Sequence, residues 1–444
     1  MTECTTQKAV FAKLNCKSVQ ADFAGGRLTS DGGALLLRQA DRASAFSSRL
    51  AGLIPDERDP ARTRHTMREL LTQRVFGIAL GYEDLIDHNT LRDDAALQTA
   101  AGRDPGEDRA LASAPTLCRL ENGVDRSTLA AMSDLLVELF IESYDEAPAE
   151  LVLDFDATDD PLHGEQEGRF FHGYYDGYCY LPLYVFWEGR PLVAYLRRSN
   201  IDPALHARAI LKMLVGRLRQ AWPDVRIIVR ADSGFCRWKL MRWCERHGVD
   251  YILGLARNKR LQAASEHLME EAEAFFCESG QKVRHFGELT YGARSWDRER
   301  RIICKAERLA DGPNRRYVVT SLGGDPQALY DGLYCQRGEM ENRIKEQQLQ
   351  LFADRTSCHR MLANQFRLLL STFAYVLVDM IRRVALAGTQ MARAQVGTIR
   401  LKLFKVGARI LSSARRVVFH LAGGYPWKRL FLLAAHRLRA CPGG

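Results

Sequence analysis

The period of the sequence changes at Leu151, and that switch constrains the fold more than any other feature. Upstream, apolar residues recur at helical spacing, as in Met67, Leu71, Val75 and Ile78. Downstream come short apolar or aromatic runs separated by glycine-rich turns: Leu151 to Asp156, Leu181 to Trp187 and Pro191 to Arg197. These read as consecutive antiparallel strands. A helix from Pro203 to Trp222 follows, then a strand from Val225 to Ala231, a helix from Lys239 to His247 and a strand from Tyr251 to Leu255.

Three strands, helix, strand, helix, strand is the order expected of an α/β core of the RNase H-like, retroviral integrase-like kind. Its first part spans residues 151–257. Residues 258–325 interrupt it with a helical piece and then alternating segments (Lys282 to Phe286, Arg301 to Ala306, Tyr317 to Ser321), a largely β insertion. The core resumes over residues 326–380, where Asp325-Pro326 starts a long helix running to about Leu351. Residues 1–150 form a mostly helical N-terminal region in which Asp59-Pro60 marks a helix start. Residues 381–444 are expected to be helical and basic throughout.

Charge is distributed unevenly. The net charge of the 444-residue chain is +9, yet from Arg360 onward 15 lysines and arginines face a single acid, Asp379. That segment carries +14, leaving −5 for residues 1–359. A local basic stretch suits a polyanion. The eleven cysteines are scattered without any Cys-x-x-Cys pair, which argues against a zinc ribbon or disulfide scaffold and for a reducing compartment. The most apolar run, Leu368 to Val378, is shorter than the roughly 20 residues that span a bilayer, so no membrane role is expected.

Three acidic positions stand out. Along Leu151 to Asp156 side chains alternate faces, which puts Asp154 and Asp156 together on one face of a strand. Buried carboxylates there are costly unless paired or metal-bound. Asp232 ends the strand Val225 to Ala231, where ligands of α/β sheets usually sit; equally, it caps the helix that follows. On the long helix, Tyr330, Tyr334, Arg337, Glu341, Lys345 and Gln348 share one stripe. A solvated face is the plain alternative, and Gly332 and Gly338 weaken the helix enough to kink it.

These residues carry a resemblance. Asp156-Ala-Thr158, Arg230-Ala-Asp232-Ser-Gly-Phe235 and the spacing Tyr334-x2-Arg337-x3-Glu341, with Asn342-Arg-Ile-Lys345-Glu346 after it, resemble DDE transposases of the insertion-sequence-four superfamily. The family numbered thirteen-eighty is the most similar. Ser30-Asp-Gly-Gly33, Asp354 to His359 and Asn364 to Arg367 extend the likeness over nearly the whole chain. One departure is visible: the superfamily often has Lys or Arg seven residues after the Glu, where this chain has Gln348, and Lys345 one turn past Glu341 is a possible stand-in.

The resemblance implies an enzyme that cleaves phosphodiester bonds at transposon ends and transfers the strands to target DNA. Two Mg²⁺ ions, with Mn²⁺ as a substitute, would be held by Asp156, Asp232 and Glu341. Asp154 is the understudy for Asp156, and Asp159 or Asp160 would lie behind the ligands. Tyr334 and Arg337 are expected on phosphate near the scissile bond. Double-stranded DNA, as terminal inverted repeats and target, is the implied partner. Arg62, Arg64 and Arg68 are expected at the ends, and Lys402, Lys405, Arg409, Arg415 and Arg416 on the backbone. A homodimer holding paired ends and a bacterial, nucleoid-associated cytoplasmic location follow from the same likeness. A nuclease without strand transfer, or an inert DNA-binding derivative, remains open at this level. His163 and His172 are read as loop packing, and Trp296 as core or surface rather than a base-stacking residue.

Overall fold

The strand Glu150–Ala157 (β1) lies inside a sheet with both faces covered, and its side chains sort by parity. Leu151, Leu153 and Phe155 join one hydrophobic cluster with Ile227, Val229 and Leu253, while Val152 joins another with Ile228, Ile252, Ile303 and Val318. In the computed structural model, which describes residues 8–441, this strand belongs to an eight-stranded mixed sheet. The other strands are Leu183–Trp187 (β2), Arg190–Tyr195 (β3), Arg226–Ala231 (β4), Asp250–Leu255 (β5), Val283–Tyr291 (β6), Arg300–Leu309 (β7) and Gly312–Thr320 (β8). Their order across the sheet is β6-β7-β8-β5-β4-β1-β2-β3.

The pairing sense decides where chemistry can occur. β1, β4 and β5 run parallel, while β2 pairs antiparallel with β1 and β3 antiparallel with β2. Phe155 lies opposite Ala231 in the parallel pair, so the next residues, Asp156 and Asp232, stand level with each other at the carboxyl edge of that pair. Helices Ala207–Ala221 (α1) and Trp238–Arg246 (α2) connect β3 to β4 and β4 to β5, and Leu211, Leu214, Leu218, Leu240 and Met241 seat them in the first cluster. The expected alternation of elements is present.

Residues 258–325 extend this same sheet. β8 pairs antiparallel with β5, β7 with β8 and β6 with β7. Helices Lys259–Ala264 and Glu266–Ser279 bring Leu261, Leu268 and Met269 onto the first cluster. After Asp325, whose carboxylate accepts the Ala328 N–H at 2.8 Å, the expected continuous helix is broken. It runs as a wide π turn over Ala328–Leu333, a tight 3₁₀ turn over Tyr334–Arg337 and an α-helix over Gly338–Leu351 (α3). Gly332 and Gly338 bracket the break, where the backbone is least committed to regular helix.

By contacts the chain divides into two compact units. One comprises Leu129–Gln348 and Ala353–Leu369 and contains the whole eight-stranded sheet. The other joins the residues up to Thr128 with Leu349–Phe352 and everything from Leu370 onward. Within this second unit the Ser30 to Gly33 motif has a clear task. Gly32 and Gly33 donate to the carbonyls of Val406 and Phe404, and a Cβ on Gly33 would lie 2.0 Å from the Leu403 carbonyl oxygen. Asp31 accepts from the Tyr82 hydroxyl at 2.6 Å and pairs with Lys405 at 2.6 Å.

Two expectations about this unit are corrected. The C-terminal region is not helical throughout: Ala408–Ser413 and Arg416–Leu421 form a hairpin, and Ala408–Ser413 also pairs with Leu28–Thr29. The β-branched Val417-Val418 pair and the alternation of buried Ala408 and Ile410 with exposed Arg409 and Leu411 outweigh the helical spacing. Asp59-Pro60 opens only a single turn, Pro60–Arg62, whereas the helix Met67–Leu80 starts at Thr66. There the Thr66 hydroxyl and Glu69 carboxylate cap each other's backbone N–H groups. The extreme ends of the regions expected over residues 1–150 and 381–444, with Cys4, lie outside the described residues.

Candidate active site

Asp156 is the penultimate residue of β1, with its side chain 15% exposed. Asp232 caps the single turn Ser233–Phe235 through one oxygen, Oδ1, which accepts the Gly234 N–H at 2.8 Å. Capping and edge position therefore coexist in one residue. Arg337 connects Asp156 to the third acid. Its Nη1 lies 3.5 Å from the Asp156 carboxylate, and its Nη2 donates to the carboxylate of Glu341, one turn on in α3. Glu341 stays 41% exposed, at the open side of the group.

The electrostatics follow from that grouping. Burial pushes the Asp156 carboxyl up to about 7, and the negative charges of Asp232 and Glu341 push the same way; Arg337 and the Ala157 N–H oppose them. Burial works against the Arg337 charge, but Asp156 and Glu341 outweigh it and raise its pKa above the ordinary arginine value. Among the described residues no three His, Cys, Asp or Glu side chains are drawn together tightly enough to grip a metal ion as they stand. The Arg337 guanidinium is the counter-charge that Asp156 and Glu341 share.

Asp154 is not free to act as an understudy for Asp156. Arg230, opposite it on β4, holds both its oxygens, with Nη2 to Oδ2 at 2.7 Å. Burial raises the Asp154 carboxyl and Arg230 opposes the rise. The same guanidinium donates to the Leu333 carbonyl, the residue before Tyr334. One buried arginine thus fastens β1, β4 and the broken helix at points adjacent to Asp156, Asp232 and Tyr334. Gly254 on β5 completes the seat: a Cβ there would lie 2.6 Å from the Tyr334 hydroxyl and 2.8 Å from the Ser233 nitrogen. Tyr334 also packs on Tyr330, ring centroids 5.5 Å apart. Strand alternation exposed the acids, but the partner of Asp154 and the close approach at Gly254 are cross-strand facts. Only the Arg-x-Asp spacing hinted at the first.

The remaining expected residues scatter. Lys345 is exposed on α3. Gln348 donates to the fully buried Asp160 carboxylate at 2.9 Å and to the Asp159 carbonyl at 3.0 Å, bracing the segment after β1. Burial pushes the Asp160 carboxyl well above its usual range, and the Gln348 hydrogen bond opposes the rise. Trp296 packs edge-on against Tyr291 and beside the first cluster. In the other unit, Arg62 and Arg64 are exposed, while Arg68 bonds Ser47 and lies 3.8 Å from Asp41. Lys405 is spent on Asp31, and Lys402 lies over the Trp427 ring at 4.3 Å. Arg409, Arg415 and Arg416 stay exposed on the hairpin.

A single family model covers residues 11–442, and it makes this chain a DDE transposase, an enzyme of DNA transposition. That model is described as transposase DDE domain group 1, and the chain belongs to this family. Among solved structures, a cryo-EM piggyBac transposase synaptic complex with hairpin DNA aligns over 85% of this chain and 80% of that one, at 11% identity and a TM-score of 0.42. No curated protein matches the sequence significantly. Among the described residues no helix is long and apolar enough to cross a membrane.

Proposed function

We propose that this transposase cuts the ends of an insertion sequence and joins them to target DNA, with Asp156, Asp232 and Glu341 as the ligands of two divalent ions. The observation that carries the reading is the level placement of Asp156 and Asp232 on parallel neighbours, with Glu341 tethered to Asp156 through Arg337. The donor set suits Mg²⁺, or Mn²⁺ in its place: all ligands are oxygens, they come from three separate elements, and burial first, then the charges of Asp232 and Glu341, raise Asp156 in the ion's absence. Bound ions would activate the attacking oxygen and stabilise the leaving one.

The protein's own groups do the rest. The Arg230 clamp fixes the spacing of the three elements. Arg337 presents a forked donor suited to phosphate, and Tyr334, anchored over Gly254, borders it. The Tyr334, Arg337 and Glu341 spacing supports membership of the insertion-sequence-four superfamily near the family numbered thirteen-eighty, and the strand order supports an RNase H-like core. Arg62 and Arg64 serve transposon-end recognition, while Arg409, Arg415 and Arg416 track the phosphate backbone. A homodimer pairs the two ends in a bacterial cytoplasm.

Incubation with labelled transposon-end duplex, target plasmid and Mg²⁺ tests the reading. Joined products are expected; cleavage alone would reduce the enzyme to a nuclease, and binding without cutting would reduce it to a DNA-binding derivative. Asp156→Asn, Asp232→Asn and Glu341→Gln should each abolish cutting and spare DNA binding. Normal activity in any one would remove that residue from the site.

A further inference from the structure

Three residues beyond β1 the chain enters a small three-stranded sheet. Asp160–Pro161 pairs with Gly177–Tyr180, which pairs in turn with Phe170–His172, in the order Asp160 opposite Tyr180 and Phe171 opposite Tyr178. The Leu162 N–H donates to the Tyr178 carbonyl at 2.8 Å, so this hairpin is held to the segment that follows the Asp156 strand. Where its last strand runs into the core the hairpin is ordinary interior: Cys179 and Tyr180 are buried. Toward its turn the hairpin is aromatic and open. Phe171, Tyr174 and Tyr178 expose 55%, 85% and 47% of their surface.

These rings are arranged rather than scattered. Phe171 and Tyr178 meet edge to face with centroids 5.8 Å apart, and Tyr174 stands at 88° to Tyr175 at 4.9 Å. The Arg169 guanidinium lies 4.7 Å from the Tyr178 ring centre. Tyr175 stands between Tyr174 and His172, with ring centroids 4.9 Å from each. Clustered exposed aromatics mark an interaction surface. This one is tied to the strand whose end is the proposed cleavage site, and its cation and π faces match bases freed from a duplex.

Building on the transposase reading, we propose that the Phe170–Tyr180 hairpin is a stacking platform for unpaired DNA bases at the cleavage point, with Phe171, Tyr174 and Tyr178 supplying the rings and Arg169 the adjoining cation. Stacking tolerates any base, because every base has a π face. The platform therefore recognises the unpaired state and leaves sequence to other contacts. Only two residues, Thr158 and Asp159, separate the first strand of the small sheet from the strand that bears Asp156.

The test uses the full-length protein in metal-free buffer, with a short random-sequence duplex and the same duplex carrying a three-nucleotide unpaired bubble that includes 2-aminopurine. The wild type should bind the bubble about fivefold or more tighter than the duplex and quench the probe. The Phe171→Ala/Tyr174→Ala/Tyr178→Ala variant should lose both effects with duplex affinity kept within about twofold, and Tyr174→Phe should retain them. All three side chains are exposed, and an unchanged thermal midpoint confirms a folded variant. A wild type that binds both DNAs equally, or a triple variant that still prefers the bubble, overturns the platform. So does equal loss on both DNAs, which marks a general DNA contact, and so does a change confined to dimer sedimentation, which marks a contact between copies. If the wild type cuts and joins transposon ends but shows no bubble preference, the platform alone fails; if it neither binds nor cuts DNA, the transposase chemistry fails with it.

Discussion

Replacing Asp156 by Asn should make the metal-free protein more stable in alkaline buffer while abolishing its activity. In the folded protein this carboxyl titrates at about 7, against 3.8 for the free side chain. Below pH 4 both states hold the proton. Between these values the folded protein keeps a proton that the unfolded chain has released, so stability falls as pH rises, by about 1.4 kcal/mol per unit. The loss is complete above pH 7. From pH 5 to pH 8 the wild type should lose about 3 kcal/mol through this one group. Asn cannot ionise and lacks that slope, so the advantage of Asp156→Asn should grow by about the same 3 kcal/mol over the interval. Urea unfolding in EDTA, followed by tryptophan fluorescence, measures it. Five of the six tryptophans (Trp187, Trp222, Trp238, Trp243 and Trp296) lie in the unit that contains the sheet. Parallel pH profiles for the two proteins would refute the claim that burial and neighbouring acids hold Asp156 in an unfavourable charge state.

Mg²⁺ should raise the unfolding midpoint of the wild type and leave Asp156→Asn unmoved, since only a folded site with its carboxylates gains from the ion; an equal rise in both would place the binding elsewhere. Arg230→Met should cost about 3–5 kcal/mol in denaturant, because it strands the Asp154 carboxylate in a dry site, and pairing it with Asp154→Leu should recover most of that loss; additive losses would deny the clamp. Gly254→Ala should suppress cleavage far more than it lowers the unfolding midpoint, as Tyr334 and the Asp232 turn must both yield to the new methyl; full activity would show that their placement is not needed. Arg409→Ala/Arg415→Ala/Arg416→Ala should flatten the slope of log affinity against log salt by up to about 2.7, some 0.9 per phosphate contact. An unchanged slope would take the hairpin off the DNA.

The sequence exposed the sheet well, because period-two and period-3.6 runs there agree with burial. Leu151, Leu153 and Phe155 could be assigned to one face and Val152 to the other from spacing alone. The C-terminal hairpin was harder to see. Lys402, Lys405, Arg409 and Arg416 fall close to helical spacing, and the pairing of Ala408–Ser413 with Leu28–Thr29 joins segments almost 380 residues apart. At the site, individual acids were legible as strand-end and helix residues, but their partners were not. Whether Asp154 or Asp156 is free depends on Arg230 across the ladder. The value of Lys405 as a DNA contact depended on Asp31, which no local pattern reveals.

The Arg230 clamp also limits how this enzyme can diverge. Arginine and aspartate here are each tolerable only because the other is present, so neither can drift alone without leaving a stranded charge in the interior. A lineage that abandons the pair must pass through an unstable intermediate or change both positions at once. Asp154 and Arg230 should accordingly be inherited as a single character, lost or kept together even in copies whose active-site acids have decayed.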